Sequence, residues 1–122
     1  MTSEEFEAIV RKTVSELPSE LQRGIANVAI VVEEWPDEEM LDDADIDNPL
    51  DLLGFYHGVP LTERTHAYGL VLPDKISIYR QPITRACQTD PEIRDSVERT
   101  VKHELAHYFG IDDDRLEELG AY

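Results

Sequence analysis

The residues best equipped for chemistry stand together near the end of the chain, in His103-Glu104-Leu105-Ala106-His107. Two histidines four positions apart lie one turn from each other on a helical face, where both imidazoles can converge on one metal ion. Glu104 projects beside them, near the edge of that face. A carboxylate placed there can take a proton from a polarised water, which is general-base work. Zinc in a catalytic site needs a third protein ligand and keeps a fourth position open. That ligand comes either from the residues that follow or from elsewhere in the fold, and only 122 − 107 = 15 residues follow His107. Gly110 and Asp113 continue the pattern at intervals of three, giving His-Glu-x-x-His-x-x-Gly-x-x-Asp. Glycine tolerates positive φ, so the chain can turn sharply at the helix end and swing Asp113 back toward the histidines. Asp112 and Asp114 flank it and are candidates to accept a hydrogen bond from a ligand histidine. In a chain of this composition the short motif arises by chance with a probability of ~0.02, the extended one with ~10⁻⁴.

Something must hold these side chains in place. Ile93, Val97, Val101, Leu105 and Tyr108 form a helical apolar stripe, which predicts a long helix through the motif. Asp90 is the expected N-cap, Pro91 the first helical residue and Gly110 the terminating glycine. At the other end of the chain, Phe6, Ile9, Val10, Thr13, Val14 and Leu17 share one face of a second helix. Thr2 and Glu5 offer a capping box there, and Pro18 stops the helix. Ser19 with Gln22 is placed to cap a short turn that Gly24 ends. Val28–Val32 and Leu52–His57 read as strands, and Thr65–Leu72 with Lys75–Arg80 as a hairpin about Pro73-Asp74. Gln81–Thr89 reads as a connection. The expected order is α–β–β–β–β–α, an α+β domain occupying 1–122 as a single unit.

The charge balance excludes several partners. Eleven Lys and Arg stand against 27 Asp and Glu, a net charge of −16. Such a chain lacks the basic footprint that nucleic acid or anionic membrane requires. Ten carboxylates and no base lie between Glu33 and Asp51, which predicts a self-repelling, solvated loop. Within it, Asp43, Asp45 and Asp47 mimic the start of a calcium loop, but Pro49 and Gly54 stand where later ligands belong. Cys87 is the single cysteine, so it forms no internal disulfide and reads as an inert thiol. No signal-peptide pattern and no membrane-length apolar run are visible, so the expected location is cytoplasmic. His57 and His66 read as structural histidines. Tyr68, Tyr79 and Tyr108 are candidate oxyanion donors whose ordinary role is packing.

On these residues the sequence resembles the small zincin-like metallopeptidase family, the minimal zincins. The resemblance is carried by His103-Glu-Leu-Ala-His107-Tyr-Phe-Gly110-Ile-Asp-Asp113-Asp-Arg-Leu. Leu53-Gly-Phe-Tyr-His-Gly-Val-Pro-Leu-Thr-Glu-Arg64 and Pro73-Asp-Lys-Ile-Ser-Ile-Tyr-Arg80 carry it further. It implies a stripped-down zincin core, in which a small mixed sheet packs on the N-terminal helix and the motif helix. It also implies Zn²⁺ on His103, His107 and Asp113, Glu104 as the base, and a peptide or protein substrate. The Gly-x-x-Asp extension is similar to that of the metzincins, whose methionine turn follows the motif. Here the only methionines, Met1 and Met40, precede it. Two other uses of the motif are a non-catalytic metal or partner site and a small metal-dependent ribonuclease. The ribonuclease pattern has a third histidine and no glutamate after the first, so Glu104, Asp113 and the net charge oppose it.

Overall fold

The computed structural model of the chain describes residues 1–59 and 74–118, apart from the side chain of Asp113. Helix α1, Ser3–Ser15, opens with the predicted capping box: Thr2 Oγ1 accepts from the Glu5 N–H at 3.1 Å. It buries Phe6, Val10 and Thr13. Helix α2, Ser19–Gly24, has no side-chain cap, contrary to the Ser19–Gln22 expectation. Gln22 works backwards instead. Its amide donates to the carbonyls of Ser15 and Leu17 at 2.8 and 2.7 Å, satisfying the open end of α1.

Three strands form a mixed sheet in the order β1-β3-β2, with β1 at Val28–Glu33, β2 at Gly54–His57 and β3 at Asp74–Tyr79. β1 runs parallel to β3, from Val28↔Asp74 to Glu33↔Tyr79, and β2 runs antiparallel to it, from Gly54↔Ile78 to His57↔Lys75. Both edges of β3 are therefore taken by strands other than its predicted hairpin partner; Thr65–Leu72 lies outside the described residues. Ile76, Ser77, Ile78 and Tyr79 are all buried, so the central strand is covered on both faces rather than on one. Arg80 leaves the sheet and opens α4, Arg80–Ala86, where a plain connection was predicted. Its guanidinium grips the Glu34 carboxylate through two nitrogens and also reaches the Met1 carbonyl at 3.2 Å.

The acidic stretch is more ordered than its charge suggests. Asp37 caps α3, Glu38–Asp43, by accepting from the Met40 N–H at 2.8 Å, and a 3₁₀ turn spans Pro49–Asp51. No residue of α3 is buried, so the segment is solvated yet structured.

Helix α5, Asp90–Phe109, is the long element the apolar stripe predicted, and Ile93, Val97, Val101, Leu105 and Tyr108 are all buried. Its cap is Thr89 rather than Asp90, because the threonine hydroxyl accepts from the Glu92 N–H at 3.3 Å and donates to the Glu92 carboxylate at 3.0 Å. The core joins that stripe to Phe6 and Val10 of α1, Ile76 and Ile78 of β3, and Leu116 of α6, Asp113–Glu118. The architecture is α+β, a small mixed sheet packed against α1 and α5. Among the described residues no helix is long and apolar enough to cross a membrane.

Candidate metal centre

A cleft of about 870 Å³ opens between β2, α5, α6 and the segment around Ala44–Asp51, and α5 presents His103, Glu104 and His107 to it. One potential ligand atom from each of the three lies within 4.8 Å of the others. The imidazoles stack edge-on with centroids 4.5 Å apart, as one helical turn dictates. Both histidines are exposed, whereas Glu104 is buried. His107 Nδ1 lies 3.4 Å from Glu104 Oε1. Burial pushes the Glu104 carboxyl above its ordinary range, against the opposing pull of His107 and His103 and a hydrogen bond from the Tyr56 N–H. A soft-to-borderline divalent ion suits two exposed imidazoles beside such a carboxylate. The donor set present therefore fits a zinc ion.

The end of α5 is built as the spacing predicted. Gly110 takes φ 73° and ψ 32°, a left-handed conformation that side chains resist. The Ile111 N–H donates to the Ala106 carbonyl and the Gly110 N–H to the His107 carbonyl, both at 3.0 Å. This is a Schellman closure, and it reverses the chain just ahead of α6. The three aspartates then separate in role. Asp112 caps α6, its carboxylate accepting from the Arg115 N–H at 2.8 Å. Asp113 is the first residue of α6, three positions past Gly110, and its side chain lies outside the description. Asp114 lines the cleft together with Glu117.

Two features of the site were missed in reading the sequence. The first is the outward edge of β2. The Tyr79 N–H donates to the Leu53 carbonyl at 2.9 Å, which makes that pair a hydrogen-bonded one. In an antiparallel ladder the bonding alternates, so Gly54 and Tyr56 turn their backbone groups away from β3, toward the cleft side. Glu104 meets β2 there, through the Tyr56 amide. The second is Gly54, where a side chain would collide with α5: a Cβ would stand 2.7 Å from Thr100 Cγ2 and 3.4 Å from Glu104 Cγ. A glycine inside a strand pattern was the available signal for a close backbone approach.

The other candidates fall elsewhere. His57 is half-buried and its Nε2 lies 3.0 Å from Ser77 Oγ. Burial first and Lys75 second hold its pKa below the ordinary value. The Tyr108 hydroxyl donates to the Gly24 carbonyl at 2.8 Å, away from the cleft. Tyr79 is buried in the sheet, where desolvation pushes its pKa up to about 12. His66 and Tyr68 lie outside the described residues. Cys87 is half-buried, and burial raises its thiol pKa, as befits an inert group.

Comparison with known proteins bears on the family and the fold. The family model described as zincin-like metallopeptidase matches residues 25–121. No curated protein matches. A conserved hypothetical protein from Thermus thermophilus has a similar structure, with a TM-score of 0.55 at 22% identity over 98% of this chain and 97% of that one. That likeness extends to the fold.

Proposed function

Because the chain belongs to the zincin-like metallopeptidase family, we propose that it is a zinc-dependent peptidase that hydrolyses peptide bonds in the cleft beside β2. The observation that supports this best is one buried carboxylate, Glu104, set among two exposed imidazoles on the wall of an open cleft. His103 and His107 would hold the ion, with Asp113 as the third ligand. Zinc, when bound, supplies Lewis acidity and makes water a competent nucleophile near neutral pH. Glu104 takes the proton from the attacking water and passes it to the departing amine. Its burial supports this role, because a carboxyl with a raised proton affinity holds a transferred proton better than an exposed one. The Tyr56 N–H orients that carboxylate. An extended substrate would add to β2, where the outward backbone groups of Gly54 offer main-chain hydrogen bonds with little sequence preference.

The test is hydrolysis of a mixed peptide library, read by mass spectrometry, with zinc-loaded wild type and Glu104→Gln side by side. The amide keeps the shape of the side chain but takes no proton. It should retain zinc and fold while cutting about 10²–10⁴-fold more slowly. Equal cleavage by both proteins, or none by zinc-loaded wild type, overturns the reading.

A further inference from the structure

We infer that Gly54 is a positioning residue, whose missing side chain brings α5 close enough to β2 for Glu104 to be held by the strand. Gly54 and Thr100 are separated by 46 positions (100 − 54) and belong to different elements, yet they lie too close for a side chain at position 54. A Cβ on Gly54 would stand 2.7 Å from the Thr100 methyl carbon and 3.1 Å from the Ser77 carbonyl oxygen. Contacts under 3.0 Å do not persist, so the packing of α5 on β2 at Thr100 would have to shift. Thr100 is 8% exposed, and its methyl sits on a short β-branched side chain rather than at the end of a long flexible one. Backbone conformation is not the reason for glycine here. Among the described glycines only Gly58 and Gly110 have positive φ. Space alone excludes a side chain at position 54.

The close approach has a chemical result. Thr100 and Glu104 are one turn apart on α5, on the face that meets β2. Glu104 Cγ lies in ordinary contact with the space a Gly54 side chain would occupy, and its carboxylate accepts from the Tyr56 N–H two residues along the strand. Moving α5 outward at Thr100 lengthens that hydrogen bond. The carboxylate then loses its fixed direction, while His103 and His107, whose spacing is set within the helix, keep theirs. Gly54 thus fixes the base relative to the strand without touching the metal ligands. The catalytic consequence rests on Glu104 being the base; the structural consequence does not.

The experiment therefore reads both, in the full chain. The Tyr56 amide is followed by hydrogen exchange in the metal-free protein, and peptide hydrolysis is measured separately with zinc. Gly54→Ala should speed exchange at Tyr56 at least tenfold more than at the amides linking β1 to β3. Zinc should still bind at one ion per chain, and kcat should fall by about 10²-fold with KM within about twofold. Thr100→Ser deletes the methyl carbon that the new Cβ would meet. Placed in the Gly54→Ala background, it should restore slow exchange at Tyr56 and most of kcat. A general loss of stability would not be repaired in this way. Should Gly54→Ala fail to fold, the double variant decides: folded with a slow Tyr56 amide supports the inference, and unfolded or with a fast amide overturns it. Gly54→Ala with unchanged Tyr56 exchange also overturns it. Restored exchange without peptide hydrolysis by any zinc-loaded form leaves Gly54 as the positioning residue and removes the peptidase reading instead.

Discussion

Glu104 has a burden that His103 and His107 do not share. It is 6% exposed, and its carboxyl is pushed toward the protonated form by burial, so it depends on its neighbours to stay charged. The histidines are solvent-facing and interchangeable in that respect. His103→Ala and His107→Ala should each abolish stoichiometric zinc, measured by metal analysis of protein purified without chelator. The aspartates that follow should behave differently from one another. Asp113→Ala should weaken zinc markedly, and Asp114→Ala much less. Asp112→Ala should spare the metal and instead cost about 0.5–2 kcal/mol of stability, because it removes the cap of α6. Zinc titration and urea unfolding on the three variants separate these outcomes. The motif itself was legible because a helical repeat is local, and any chain with that spacing aligns those side chains. The cap at Asp112 was hidden inside a run of three identical residues. Only the start of α6 distinguishes them.

Elements were legible in proportion to how local their causes are. α1 and α5 announced themselves through periodic apolar faces and caps, and both were found with nearly the right ends. α3 and α4 are six and seven residues long and carry no full apolar stripe, so charge and short length concealed them. The hairpin reading is a different case, since its first arm, Thr65–Leu72, lies outside the described residues. Proximity in sequence favours antiparallel neighbours, and β3 does pair that way with β2, but it also pairs in parallel with β1. Nothing in the alternation of Ile76 and Ile78 reveals a parallel partner 46 positions away (74 − 28). The ends of that parallel pair are clamped by Glu34 and Arg80. The hydrogen bonds from Arg80 hold the Glu34 carboxyl below its ordinary value of 4.5. A carboxyl depressed in the folded state adds stability above the unfolded value and loses it as pH falls through the folded one. The Glu34 side chain is 48% exposed, so solvent limits the contribution to about 0.2–1 kcal/mol. Wild type should exceed Glu34→Gln in urea stability at pH 7, and the gap should close toward pH 3.

The molecule as a whole carries a net charge of −16, and the cleft shares that sign. Asp51, Asp114 and Glu117 line it, while its one lining cation among the described residues, Arg99, is bound to Asp95 at 2.9 Å. Peptides carrying Lys or Arg beside the scissile bond should therefore be taken in preference to versions carrying Glu. The preference should shrink as ionic strength rises from about 0.01 to 1 M, since screening shortens the reach of these charges. Matched peptide pairs compared by KM at the two salt levels check this. The same imbalance bears on the long helix. The 20 residues of α5 end at the site, so His107 stands in its last turn, at the negative pole of the helix dipole. With Glu104 and the acidic walls added, that pole favours positive charge, and a bound ion would supply it. Folding and metal uptake would then be linked, since a cation held there would also tie down the end of α5. At a free zinc concentration of 100 times Kd the native state should gain about 2.7 kcal/mol. The gain should appear as a melting temperature that climbs with added zinc, returns to the metal-free value on chelation, and stays flat in His103→Ala.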